Sequence, residues 1–190
     1  MSSLVFIGDS LTEWYDWQAR FPGYGVLNLG IAGETIEGLV NRLDRIILAL
    51  EDPDCIFIMT GINNVAMEDY EIIHEYKRII NRFFSVFRKT EIVIQSLLPA
   101  DLPWLDKGVI TALNKELKGL AGNFTAHYLD VYGAFIGPDG ILIREYLADD
   151  GVHLSDKGYE VWALVVEGYL HGPEGPTGAR VPLSIARGRS

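Results

Sequence analysis

Ser10, Asp150 and His153 supply a hydroxyl, a carboxylate and an imidazole, the set that can attack a carbonyl carbon and move the protons the attack requires. Ser10 stands in Gly8-Asp9-Ser10-Leu11-Thr12. A serine there also suits a helix N-cap, where its oxygen satisfies an orphan N–H, and the string alone leaves both roles open. A nucleophile needs a base, and four histidines are available. His74 falls between Ile73 and Glu75 in an amphipathic stretch and reads as a solvated helical residue. His127 lies in a weak apolar run and reads as a core or edge residue. His171 opens the tail. His153 differs, because it stands in Asp149-Asp150-Gly151-Val152-His153-Leu154-Ser155. A carboxylate three residues before an imidazole can bond one ring nitrogen if the loop curls, which fixes the tautomer and stabilises the imidazolium formed in reaction. An oxyanion needs donors aimed at one point. Gly33 can bring its backbone N–H close to a ligand, having no Cβ, and Asn63 carries a side-chain amide of the type such sites use. Each also has a plain reading, as a helix-leading glycine and a turn asparagine.

These residues need elements to hold them. Ser3 to Ile7, Val26 to Leu29, Cys55 to Met59 and Ile92 to Gln95 are short apolar runs that read as buried strands, with Ala126 to Leu129 a weaker fifth. Between them apolar residues recur at helical spacing: Leu39, Leu43, Ile46, Ile47 and Leu50; Ile73, Tyr76, Ile80, Phe83, Phe84 and Phe87; Ile110, Leu113, Leu117 and Leu120; and Tyr159, Trp162, Ala163, Val166 and Leu170. Nearly all-apolar strands alternating with helices imply a parallel sheet covered on both faces, an α/β fold. Five strands with right-handed crossovers predict a flavodoxin-like three-layer α/β/α sandwich. Ligands in such sheets bind beyond the carboxyl ends of the strands, where Gly8 to Thr12, Gly30 to Thr35 and Gly61 to Asn64 fall. Residues 1–171 read as one domain. Residues 172–190 are crowded with glycine and proline and read as a loose C-terminal extension.

Composition removes other classes. With 26 acids against 16 bases the chain carries −10, the wrong sign for nucleic acid or an anionic membrane. No apolar run approaches the ~18 residues of a membrane span, and Met1 to Ile7 does not read as a signal peptide. These features fit a cytoplasmic protein. The single cysteine, Cys55, excludes an internal disulfide. No H-E-x-x-H, G-x-G-x-x-G or G-x-x-x-x-G-K string is present, which disfavours zinc hydrolysis and nucleotide binding. The Ser10 string lacks the second glycine of G-x-S-x-G, which disfavours the larger α/β-hydrolase elbow.

Four strings taken together resemble the GDSL, or SGNH, hydrolase family: Gly8-Asp9-Ser10-Leu11; Gly33 within Gly30 to Thr35; Gly61-Ile62-Asn63; and Asp150-Gly151-Val152-His153. They occur in the family's order and span most of the expected domain. The resemblance implies an esterase, lipase or acylhydrolase with Ser10 as nucleophile, His153 as general base and acid, and Asp150 as its orienter. It also implies an oxyanion hole from the N–H groups of Ser10 and Gly33 and the amide of Asn63, and no cofactor or metal. The third string ends in Asn64 where the family usually has Asp, which resembles the branch of platelet-activating-factor acetylhydrolases. On that reading Asn64→Asp is expected to be mild. The expected substrate is a carboxylic ester or thioester, either a small acyl ester or a lysolipid-type molecule, with oligomeric state left open. The rivals are a catalytically silent binding domain on the same fold and an acyltransferase in which an alcohol replaces water. Trp14, Tyr15, Trp17, Pro99, Leu102, Pro103, Trp104 and Leu105 either wall an apolar acyl pocket or pack their loops against the body.

Overall fold

The structure, a computed structural model, describes residues 2–106 and 108–172. The expected extension, apart from residue 172, lies outside the described residues. One parallel sheet contains β1 (Ser3–Gly8), β2 (Gly25–Gly30), β3 (Cys55–Met59), β4 (Glu91–Gln95) and β5 (His127–Leu129), in the order β2-β1-β3-β4-β5. The helices between and after the strands are α1 (Ser10–Glu13), α2 (Trp17–Arg20), α3 (Ile36–Ala49), α4 (Ile62–Ala66), α5 (Ile72–Val86), α6 (Val109–Asn123) and α7 (Asp156–Leu170). They cover both faces of the sheet, as the alternation of runs and stripes predicts.

The strand order reverses at β1, whose neighbours are β2 on one side and β3 on the other. This is the switch point at which open parallel sheets leave a crevice. Register then levels the strand ends, since Gly8 pairs with Gly30 and with Met59. The three polar loops that follow therefore start at one height along the same edge.

Burial follows strand position. β1 is buried over Leu4–Gly8 and β3 throughout. The expectation of a buried run at β2 is corrected: Leu27 is 41% exposed, because β2 is an edge strand with one neighbour. β5, the opposite edge, is half-buried. Phe6 of β1 stacks between Trp17 of α2 and Phe57 of β3, with ring centroids 4.1 and 4.9 Å away. Fully burying one such ring stabilises the fold by about 1.5–3 kcal/mol, and Trp17 of this stack also donates from Nε1 to Thr12 O at 3.0 Å, two residues past Ser10. In α5 the buried stripe is Ile72, Tyr76, Ile79, Ile80 and Phe83, rotated slightly from the predicted one, so Ile73 and Phe84 pack at its margin. The stripes predicted for α6 and α7 are buried as expected.

Candidate active site

The loop that carries Ser10 turns directly from β1 into the single turn of α1. Asp9, not Ser10, takes the N-cap: its Oδ1 accepts from the Leu11 N–H at 3.1 Å. Ser10 becomes the first helical residue, and its Oγ lies 2.9 Å from His153 Nε2. On the other side of the ring, His153 Nδ1 lies 2.6 Å from Asp150 Oδ2. The loop curls as the spacing requires, because Asp150 Oδ1 also accepts the backbone N–H groups of Val152 and His153, each at 2.9 Å. Hydroxyl, imidazole and carboxylate thus form one continuous hydrogen-bonded chain across residues distant in sequence. The Trp14 ring lies against one face of His153, centroids 4.3 Å apart, and is 56% exposed.

Burial alone would raise the Asp150 carboxyl, but the bonds from His153 and from the two backbone N–H groups outweigh it and hold the acid down at about 2. Asp150 is therefore ionised wherever the protein is folded near neutral pH, the form that orients an imidazole and balances its charge.

Three N–H groups lie in the loops along this edge. The first residue of a helix has an N–H without an intrahelical partner, and among the described residues the Ser10 N–H has no acceptor. The Gly33 N–H has none either. Gly33 sits at φ +75° in a turn closed by the Glu34 N–H bonding to Ile31 O. Apart from its chain neighbours, a Cβ there would meet no atom of the described residues within 4 Å, so the left-handed backbone is what calls for glycine. Asn63, in α4, donates one N–H of its amide to Glu34 O at 2.9 Å. That bond aims the side chain and leaves its second N–H without an acceptor among the described residues.

The glycine turn is held from both ends. Glu13 of α1 accepts the Ala32 N–H at 2.8 Å. Arg42 of α3 grips Glu34 through two bonds of 2.6 Å and reaches Leu29 O at 2.8 Å. Such a forked pair fixes direction as well as distance.

Asn64 is buried and structural. Its Oδ1 accepts the Ile36 N–H, and its Nδ2 donates to Glu37 and Asp69. The amide holds the Glu37 carboxyl below its ordinary range. The expectation that Asn64→Asp is mild is therefore reversed, since the change would set a third carboxylate against these two.

The other histidines keep their plain readings. His74 is solvated beside Glu75, His127 sits in edge strand β5 against the Tyr169 ring, and His171 ends α7. The aromatic residues divide. Trp17 is core, and Tyr15 stacks on Tyr159. Pro99, Leu102 and Leu105 do wall a cavity, of about 410 Å³, together with Ile136, Leu142 and Arg144. Ser10, Gly33, Asn63 and His153 are not among its walls. Trp104 stays outside it and bonds Ala66 O at 3.3 Å.

The chain matches the GDSL-like lipase/acylhydrolase family over residues 6–161. It belongs to that family. This GDSL-like chain is 28% identical over 164 residues to platelet-activating factor acetylhydrolase IB subunit alpha1 of Rattus norvegicus, covering 82% of this chain and 69% of the rat protein. Its fold is similar to that of a GDSL-like lipase from Bacteroides thetaiotaomicron (24% identity, TM-score 0.72, 87% and 86% of the two chains). It is also similar to a variant of an acetyl xylan esterase from Geobacillus stearothermophilus (22% identity, TM-score 0.70, 87% and 92%). As a member of this family the protein is a carboxylic ester hydrolase of the esterase/lipase type. Among the described residues of this GDSL-like protein, no helix is long and apolar enough to cross a membrane, and no group of three or more acidic, histidine or cysteine side chains is placed to hold a metal ion.

One site feature carried no sequence signal. Asp9 is 1% exposed, and its Oδ2 has no hydrogen-bond partner among the described residues. Burial, with the nearby Glu34 charge adding to it against the Leu11 bond, pushes its carboxyl up from 3.8 to about 7. An acid with a raised folded-state pKa holds its proton when folded and loses it when unfolded, so stability falls as pH rises from about 4 to about 7. That shift corresponds to roughly 4 kcal/mol between the two limits. Asp9→Asn cannot ionise. Its Tm relative to the parent protein is expected to rise steadily between pH 4 and pH 8, read by thermal melts in a pH series. A constant difference across the series would show that Asp9 does not titrate in this range.

Proposed function

We propose that this protein cleaves small acyl esters by a serine-dependent route through an acyl-enzyme. The observation that carries the reading is the unbroken contact from Ser10 Oγ through His153 to Asp150. In the proposed reaction the Ser10 oxygen attacks the ester carbonyl carbon while His153 Nε2 takes its proton. The carbonyl oxygen becomes O⁻ and is received by the N–H groups of Ser10 and Gly33 and the second N–H of Asn63. Asp150 stabilises the imidazolium. His153 then gives the proton to the departing alcohol, leaving Ser10 acylated. Water enters, loses a proton to the same nitrogen, and releases the acid as Ser10 is restored.

The names of the similar proteins support a short acyl group, since one is a platelet-activating factor acetylhydrolase subunit and another an acetyl xylan esterase. The reading is tested with a panel of esters of increasing acyl length, acetylated sugars included. Turnover highest for acetyl and falling with chain length is expected; a maximum at long chains, or no turnover of any ester, would overturn it. An added alcohol that gains the acyl group faster than water does would replace hydrolysis by acyl transfer.

The two adjacent asparagines separate oxyanion support from folding. Asn63→Ala is expected to lower kcat by about 10²–10³ with KM little changed, the usual size for one lost donor. Asn64→Asp is expected to lower Tm by roughly 5 °C instead, through the clustered carboxylates. Kinetics and thermal melts on both variants check this, and the opposite pattern would move the oxyanion role to Asn64.

A further inference from the structure

We propose that Arg144 is a positioning residue for the Asp150–His153 pair, acting with Asp101 as a clamp on the loop that carries them; this rests on the serine-triad reading above. Residues 147 to 154 form a narrow turn. Leu147 and Leu154 pair antiparallel at its base, and the Ala148 N–H bonds His153 O at 2.7 Å. The Gly151 N–H bonds Ala148 O at 3.1 Å. Asp150 and His153 both lie inside this turn, so its shape sets their separation.

The Arg144 guanidinium gathers the outer arm. Nη1 donates to Ala148 O at 2.7 Å and to Leu147 O at 3.3 Å, and Nη2 donates to Asp149 O at 3.1 Å. Three successive carbonyls thus point towards one cation, an arrangement their own dipoles disfavour without it. The third is the carbonyl immediately before Asp150. The remaining nitrogen, Nε, donates to Asp101 Oδ2 at 3.0 Å. Asp101 closes the clamp from the other side, because its own N–H bonds Gly151 O at 2.8 Å. The two chains run so close that a Cβ on Gly151 would come within 2.4 Å of Asp101 O, at a residue whose φ is +77°. One arginine and one aspartate therefore tie the turn on both flanks of Asp150 to the loop after β4.

Solvent exposure decides what this clamp is for. The side chains of Arg144 and Asp101 are 44% and 60% exposed, and an ion pair so exposed adds little to folding. Carbonyls freed by removing the guanidinium can bond to water, so the fold survives. The geometry is less forgiving. Proton transfer needs the 2.6 Å and 2.9 Å contacts of His153 held together, and a displacement of about 1 Å in such a constellation costs on the order of 10²-fold. Lysine would supply one point charge in place of a planar fork and cannot span the same three carbonyls and a carboxylate.

The test uses the full chain with Arg144→Ala, Arg144→Lys and Asp101→Asn. Active sites are counted with a serine-reactive phosphonate, so that unfolded protein is excluded. Arg144→Ala is expected to lower kcat by about 10²-fold with KM within about twofold, and to slow phosphonylation of Ser10 equally. The far-downfield proton signal of the short His153–Asp150 hydrogen bond should weaken or vanish. Millimolar guanidinium should restore part of the rate to Arg144→Ala, Arg144→Lys should recover only a small part, and Asp101→Asn should lie between parent and Arg144→Ala. Parent-like kcat and phosphonylation in folded Arg144→Ala would overturn the inference. Should that variant fail to fold, parent-like kcat and an unchanged downfield signal in Asp101→Asn would overturn it. If the parent protein is not phosphonylated at Ser10, the triad reading itself fails, a result distinct from failure of the clamp.

Discussion

Ser10→Ala is expected to fold normally and to lose about 10⁶-fold in kcat, the size found when the nucleophile of a serine triad is removed. The structure explains why folding is spared. The cap of α1 is Asp9, and among the described residues the Ser10 hydroxyl bonds only the imidazole that would use it. The lost Oγ leaves no carboxylate or backbone group unpaired. Rate is another matter, because among the described residues no second hydroxyl stands at His153 Nε2. Any residual turnover comes from water in the same donors, at about 10³–10⁴ over the uncatalysed reaction. Steady-state kinetics on an activated acetyl ester, with circular dichroism to confirm the fold, measure both parts. Loss of less than tenfold would remove Ser10 from the chemistry.

Asp150→Asn should follow, with kcat lower by about 10⁴-fold, as for the matching change in a triad protease. The carboxylate does two jobs, and the substitution separates them. An asparagine Oδ1 can still accept the Val152 and His153 N–H groups, so the turn keeps its shape. Its Nδ2 replaces Oδ2, however, and presents a donor to His153 Nδ1. The ring must then carry its proton on Nε2, where it faces Ser10 and cannot accept. Fold, KM and phosphonate binding without reaction should all be retained. An Asp150→Asn rate within tenfold of the parent would show that Asp150 serves the loop and not the imidazole.

The sequence made the candidate site readable because its parts are short and local. Each of Gly8 to Leu11, Gly33, Asn63 and Asp150 to His153 lies in a few residues at a strand end or before the last helix, where a plain connector has no need of that mix. Strand and helix periods then implied the parallel sheet that would bring those ends to one edge. Other features stayed hidden for physical reasons. The Arg144 clamp acts on backbone carbonyls, which every residue possesses, so no side-chain pattern marks it. The raised acid at Asp9 is a product of burial by elements far along the chain. The exposure of β2 follows from strand order, since an edge strand reads like a central one when its residues are apolar. The cap at Asp9 in place of Ser10 turned on which of two adjacent capping residues met the Leu11 N–H, a choice composition does not make.

The most direct test of the central claim is the mass of the protein after reaction with a phosphonate ester, followed by mapping of the modified peptide. The proposed chemistry requires one adduct per chain, on Ser10, formed about 10⁴-fold more slowly in Asp150→Asn. An adduct on another residue, or persistent ester hydrolysis by a protein that takes up no phosphonate, would contradict it.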